Sequence, residues 1–237
     1  MLYAVLFGGD VYKSTDRGAR FQSLSAVIQP STWTSVTVTS DGMHVFICDI
    51  HGNVWKSING GASFNSNNAP AGKWTTVAIA GDGRTLVGLT ETDFYWWPQD
   101  AFTTWYRYTD TLSSPPFAAA ACSGDGRKIL VANAGFVVVS NDRGWTWNFD
   151  ARLYLVKAAR VASSRDGVQL VATADGGSVF TSVNGGSSWQ RQDTLGKGAW
   201  RGGAASATSS TTGRKMVLVA QQPGYVFIGT GSVSAVS

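Results

Sequence analysis

Ser140-Asn141-Asp142-Arg143-Gly144-Trp145-Thr146-Trp147 is the stretch on which the reading of this chain turns, because it recurs. Ser14-Thr15-Asp16-Arg17-Gly18-Ala19-Arg20-Phe21 is an earlier copy, Ser57-Ile58-Asn59-Gly60-Gly61-Ala62-Ser63-Phe64 another, and Ser182-Val183-Asn184-Gly185-Gly186-Ser187-Ser188-Trp189 a later one. The leading serines lie 43, 83 and 42 residues apart, so the middle interval spans two periods. A copy is due near residue 98, where only the Thr104-Trp105 ending survives. A fixed period of this length marks a repeat architecture. A short Asp or Asn side chain accepts bonds from nearby backbone N–H groups and holds a turn. The glycine two residues later supplies a positive φ, and the closing aromatic opens the next strand and buries apolar surface.

The pattern Ser-x-Asp/Asn-x-Gly-x-Ser/Thr-Trp/Phe resembles the Asp-box, or bacterial neuraminidase repeat. Its positions here are Ser14, Asp16 and Gly18; Ser57, Asn59 and Gly61; Ser140, Asp142, Gly144 and Trp147; and Ser182, Asn184, Gly186 and Trp189. The first copy departs from it with Arg20 where Ser or Thr is usual. The resemblance implies a β-propeller. It implies little about activity, because the repeat occurs in sialidases, other glycosidases, sorting receptors, photosystem assembly factors and lectin-like proteins.

Four short strands repeat in each period, here A to D. Strand A is small and apolar, as at Trp33–Thr39, Trp74–Ala80, Phe117–Ser123, Ala158–Ser164 and Gly203–Ser209. Asp-Gly dipeptides at 41, 82, 125 and 166 form the A–B turn, a strong hairpin signal. A glycine-containing hairpin joins B to C, and the box joins C to D. The chain opens on strand B at Leu2–Phe7, so six periods are counted, the first without its inner strand. The expected fold class is all-β: a six-bladed β-propeller of four-stranded antiparallel blades with Asp-box turns, one domain over residues 1–237. A five-bladed ring with a composite closing blade, or a ring completed by self-association, are the alternatives.

Composition agrees with many strands and tight turns. Charged residues are 14%, against 28 glycines and 10 tryptophans in 237 residues, which excludes disorder. The net charge of +4 is scattered, with no basic run for nucleic acid. No stretch approaches 18 consecutive apolar residues, so no membrane span is expected. Cys48 and Cys122 read as buried free thiols. With only His44 and His51, no metal site or cofactor is expected. The chain shows no signal-peptide pattern, while the resemblance favours an extracytoplasmic or secreted setting.

A glycosidase needs two carboxylates across the scissile bond. Glu91 is the single glutamate. Asp16 and Asp142 sit in boxes, and Asp41, Asp82, Asp125 and Asp166 in A–B turns; Asp10, Asp49 and Asp175 lie at B–C hairpins, where they could share one rim. Sialidases with this repeat use three arginines, a Tyr/Glu nucleophile pair and an acid/base Asp. Here the nearest imitation is Glu91 with Tyr95, plus Arg160 and Arg201 near strand A, and the Arg-Ile-Pro motif is absent. No catalytic residue is assigned. The reading is a non-catalytic binding or assembly module whose partner is a protein, with a carbohydrate as the alternative and a sialidase-like glycosidase as the weakest.

The third period departs most. Eight aromatics fall between Phe94 and Tyr108, around the lost box. They either fill the space of the missing turn or form an exposed platform, with Tyr95, Trp96, Trp105, Tyr106 and Arg107 as candidate ligand or partner contacts.

Overall fold

The computed structural model describes residues 1–97, 104–109, 116–133, 136–149, 159–174, 179–192, 206–210, 213–219, 226–230 and 232–235. Among the described residues every regular element is a strand. The chain divides into two compact units, Met1–Tyr108 and Thr109–Ser237.

In the first unit, β1 (Leu2–Val5), β3 (Val11–Ser14) and β4 (Gln22–Ser23) form a three-stranded sheet. β2 (Phe7–Gly9) leaves it to pair with β5 (Ser31–Val38), which continues through β6 (Val45–Asp49), β7 (Val54–Ser57) and β8 (Asn65–Asn67). A third sheet runs β9 (Trp74–Ile79), β10 (Leu86–Thr90), β11 (Phe94–Trp97) and β12 (Tyr106–Arg107). The second unit holds three more four-stranded sheets. These are β13 to β16 (Phe117–Cys122, Ile129–Asn133, Val137–Ser140, Asn148–Phe149), β17 to β20 (Ala159–Ser163, Leu170–Ala174, Val179–Ser182, Gln190–Arg191), and β21 to β24 (Ser206–Ser210, Gly213–Val219, Val226–Thr230, Ser232–Ala235).

Apart from β2, which leaves its neighbours for the next sheet, the strands of each sheet form an antiparallel meander, as the period-2 patterns bounded by turns predict. One boundary differs from expectation. Leu2–Phe7 is not one strand, because a tight turn closes between Leu6 and Asp10 (Leu6 N–H to Asp10 O, 3.1 Å; Gly9 N–H to Leu6 O, 3.0 Å). The turn carries Phe7 across to Thr32 on the neighbouring sheet.

Strand A begins alike in three repeats. Trp33, Trp74 and Phe117 are buried. In β5 and β13 the ladder slips between this aromatic and the residue two positions on, and in β9 between its partners Leu89 and Thr90. Such bulges re-aim a strand. In β5 the freed Thr34 hydroxyl donates to Cys48 O (3.1 Å) and to Trp74 O on the next sheet (2.9 Å). Further along, Val77 N–H donates to Ser35 Oγ (3.2 Å) and Ile79 N–H to Thr37 Oγ1 (3.1 Å). Neighbouring sheets of this unit are therefore joined by hydroxyl-to-backbone bonds one period apart, as well as by apolar packing.

The cores lie between sheets. Phe46, Cys48 and Val54 meet Trp74, Val77, Leu86, Tyr95 and Trp97 in one cluster. Val11, Ile28, Trp33, Val45 and Ile47 form another. In the second unit Leu130, Ala132 and Val137 meet Val161, Leu170 and Ala172. Of the two cysteines, Cys48 is fully buried but Cys122 only half-buried, because its strand position faces the less covered side of β13. Burial pushes the Cys48 thiol up to about 12, so it behaves as a small hydrophobe.

Candidate functional site

The four box turns share one geometry. The serine hydroxyl donates to the Asp or Asn Oδ1 two residues on: Ser14 to Asp16 (2.8 Å), Ser57 to Asn59 (2.9 Å), Ser140 to Asp142 (2.8 Å) and Ser182 to Asn184 (2.9 Å). The same hydroxyl accepts the N–H of Gly18, Gly61, Gly144 and Gly186. The Oδ1 then accepts the N–H of residue 20, 63, 146 or 188. Two consecutive residues have positive φ in every copy, the first being Arg17 (62°), Gly60 (64°), Arg143 (66°) and Gly185 (67°). The sequence pattern marks only the second of the two. Trp147 closes its box by donating Nε1–H to Gly144 O (2.8 Å), while Trp189 packs against the core of the second unit.

Two further contacts brace the turns. The N–H of Gly60 reaches Met43 O and that of Gly185 reaches Val168 O, so a box leans on the A–B turn of its own sheet. Lys13 Nζ caps Gly60 O (2.6 Å) from the preceding sheet, and Lys128 Nζ caps Gly185 O in the same way. Boxes and A–B turns thus share one end of the sheets, and that end is occupied by structural bonding.

The box carboxylates have a pH consequence. The Arg20 N–H and then the Ser14 hydroxyl hold Asp16 below its ordinary value of 3.8. For Asp142, partial burial pulls upward, but the Thr146 hydroxyl and N–H and the Ser140 hydroxyl outweigh it, and the group is also held low. A depressed carboxyl stabilises the fold above its unfolded pKa, and that contribution disappears as pH falls through the folded value. Asn59 and Asn184 hold the same turns without titrating. Asp142→Asn should therefore shrink the acid-side fall in melting temperature, measured from about pH 6 down to about pH 2, while leaving the neutral value close to native. An undiminished acid limb would refute this role.

The remaining described carboxylates are engaged in local bonds. Asp10 accepts from Ser23 Oγ (2.6 Å). Asp41, Asp82, Asp125 and Asp166 accept backbone N–H groups of their own turns. Asp49, only 2% exposed, takes the N–H of His51 and Asn53 and the side chains of Ser31 and Asn53. Glu91 is exposed and pairs with Lys73 at 3.5 Å, whereas Tyr95 is buried. Arg160 donates to Ala118 O (3.3 Å). Asp100, Asp110, Asp150, Asp175, Asp193 and Arg201 lie outside the described residues. No group of three or more His, Cys, Asp or Glu that could hold a metal occurs among the described residues.

The aromatic third repeat divides between two faces, as alternation along β11 requires. On one face Tyr95 and Trp97 meet Trp74 and Trp105: Trp97 stacks on Trp105 at 4.1 Å between centroids, and Trp74 lies 5.0 Å from Trp105. Tyr95 is a buried member of this core, and the partly buried Trp105 packs against it. On the other face Phe94 stacks on Tyr108 at 4.5 Å, and Trp96 lies 5.7 Å from Tyr106. Tyr106 is 42% exposed. Beside it Arg107 grips Asp93, with Nε and Nη2 at 2.7 and 2.5 Å from Oδ1. Of the five expected contacts, Trp96 and Tyr106 are cross-strand partners on this second face, while Arg107 stands opposite Tyr95 in the ladder and so belongs, with Asp93, to the exposed margin of the first.

A cleft that the sequence reading did not mark sits at the end of the second sheet opposite its box. It encloses about 300 Å³ between Val27, Ile28, Gln29, Pro30, Ser31, Trp33, Asp49, Asn53, Trp55 and Phe64. Its walls come from β5, the β6–β7 hairpin, β7, the box aromatic and the connection before β5, segments with no common period. The one usable signal was Asp49 at a hairpin rim.

Comparison with known proteins speaks to the fold. No family model and no curated protein matches the chain. Among solved structures, an ancestral GH74 enzyme aligns over 96% of this chain at 16% identity with a TM-score of 0.73. The chain spans only 34% of that enzyme's length. A nidogen/laminin complex aligns over 99% of this chain and 92% of the other, at 11% identity and TM-score 0.67. YCF48 bound to a D1 peptide aligns over 86% and 68%, at 11% identity and TM-score 0.55. The GH74 enzyme and YCF48 are β-propeller proteins, and the present chain shares their all-β organisation of repeated antiparallel sheets. At these identities the likeness concerns the fold alone.

Proposed function

We propose that residues 1–237 form a single six-bladed Asp-box β-propeller without catalytic activity, and that it works as a scaffold binding a protein or peptide partner. The observation that carries this reading is the patch at the edge strand β12, where Trp96 and the exposed Tyr106 pair on one face and the exposed Arg107 follows on the other. Aromatic and arginine side chains are the residue types that anchor protein interfaces. The patch stands in a repeat whose sequence lacks the box. Two of the similar structures are of YCF48 bound to a D1 peptide and of a nidogen/laminin complex, which agrees with a peptide or protein partner. The engagement of every described aspartate in local bonding weighs against a glycosidase. A carbohydrate ligand is the second reading, favoured by the cleft at Asp49 on the neighbouring sheet.

The test compares native protein with a Tyr106→Ala/Arg107→Ala double variant. A partner captured by the native protein should be held about tenfold or more weakly by the variant, at unchanged melting temperature. Neither preparation should hydrolyse a sialoside. Equal capture by both would remove the patch from the argument, and turnover would replace the scaffold by an enzyme.

A further inference from the structure

The cleft beside Asp49 combines polar and aromatic lining. One end is polar. Asp49 Oδ2 accepts Ser31 Oγ–H at 3.2 Å and Asn53 Nδ2–H at 3.1 Å, and Oδ1 accepts the N–H groups of His51 and Asn53 at 2.9 and 3.1 Å. These bonds spend the donors of Ser31 and fix Asn53. The Asp49 carboxylate is itself filled by these bonds, and the Ser31 hydroxyl oxygen and the Asn53 amide oxygen are left as acceptors, with the Gln29 amide beside them at the rim. The other end is aromatic. Trp33 is 2% exposed and closes the floor, while the half-buried Trp55 and Phe64 form the sides. The buried indole N–H groups of both Trp33 and Trp55 have no acceptor within the protein, an uncommon state for buried donors.

The cleft is also preformed. Its outer wall, the connection before β5, is pinned by Val27 and Ile28 N–H bonds to Leu24 O (2.8 and 2.9 Å) and by the burial of Ile28 in the core with Val11, Trp33, Val45 and Ile47. Pinning a wall in advance lowers the ordering cost of binding.

Charge and shape narrow the occupant. No lysine, arginine or histidine lines the cleft, and a carboxylate stands at one end, so an anionic ligand is disfavoured. Clustered acceptors call for a ligand rich in hydroxyl donors, and aromatic sides call for an apolar face on the same ligand. The volume is at the lower end of ligand-sized clefts, enough for one ring and too small for an extended chain. A quaternary cation would need several open ring faces around it, and the floor ring of Trp33 offers none.

We propose that this cleft binds a single neutral pyranose sugar, its C–H face against Trp55 and Phe64 and its hydroxyls directed to Asn53, Ser31 and Gln29, the first two held in place by Asp49. The inference deepens the carbohydrate reading and is independent of the protein-partner reading.

The experiment titrates ¹⁵N-labelled full-length protein with the methyl pyranosides of glucose, galactose, mannose and N-acetylglucosamine, following the tryptophan indole resonances. Trp55 is assigned with Trp55→Phe. At least one pyranoside should move the Trp55 resonance saturably. Phe64→Ala and, separately, Gln29→Ala should weaken that response, the first by about tenfold. Gln29 is exposed on the connection, so its variant keeps the test intact if Phe64→Ala does not fold. Choline chloride and a methyl sialoside are titrated in parallel. The proposal falls if no neutral pyranoside moves Trp55, if choline or the sialoside does so instead, or if folded variants respond like the native protein. A pyranoside response at Trp96 with Trp55 unmoved would overturn the cleft while leaving a carbohydrate ligand in place at the β12 edge.

Discussion

Gly88→Ala should lower the stability of the fold by about 3 kcal/mol, the upper part of the range for overpacked cores. A β carbon on Gly88 would lie 2.3 Å from Trp74 Cζ3 and 3.1 Å from Trp105 Cζ3. Neither ring has anywhere to go. Trp74 is fully buried between Tyr95 and Trp105, and Trp105 is stacked on Trp97. The backbone of β10 is held on both sides by β9 and β11. In the other sheets Ile47, Val131 and Ala172 occupy the same register. A side chain is thus normal there, and its loss at 88 is the counterpart of Trp105 entering the core. Urea denaturation should show a lower midpoint with little change in slope. A native midpoint would mean that the indoles repack without cost.

The second large effect is expected from Ser140→Ala. The Ser140 hydroxyl is fully buried, donates to Asp142 Oδ1 and accepts Gly144 N–H, each at 2.8 Å. Alanine removes these bonds and a longer one from Asp142 N–H (3.3 Å), and leaves the buried Gly144 N–H without an acceptor, which costs about 2 kcal/mol. For a chain of this length the melting temperature should fall by roughly 4–8 °C. The same change at Ser14 should cost less, because the bond from Gly18 N–H is more open to water than that from Gly144 N–H. Equal losses at the two positions would show that the box acts through something other than burial of its donor.

What could be read from the chain was what repeats. The box spacing and the Asp-Gly turns located the strands, because turn residues are chosen for local geometry and carry the same signal in every period. Single events were not legible. The crossing of Phe7 to Thr32 depends on a turn between Leu6 and Asp10 that no other period contains. Arg17 and Arg143 adopt positive φ though nothing in their identity announces it, since the bonds of the box impose it. The third repeat could be read as filler or as platform. Alternation along β11 assigned Tyr95 and Trp97 to one face and Phe94 and Trp96 to the other, but the placing of Trp105 against Trp74 needed the third dimension. The cleft at Asp49 was least legible, because its walls share no period and its tryptophans look in sequence like any other strand residues.

The meander topology has a consequence for how the polypeptide is made. Within each sheet, save for the strand contributed by β2, every strand pairs with the next one in the chain, so its ladders close over short loops. Such local pairing has a small loop entropy to overcome. A growing chain can complete one meander soon after its residues leave the ribosome. The hydroxyls of Ser35 and Thr37 then wait at its flank for the amides of Val77 and Ile79, which follow 42 residues later. In the first unit, synthesis and assembly run in the same direction: each finished sheet is the template for the next, and the register between them is set by side chains already in place before their partners exist.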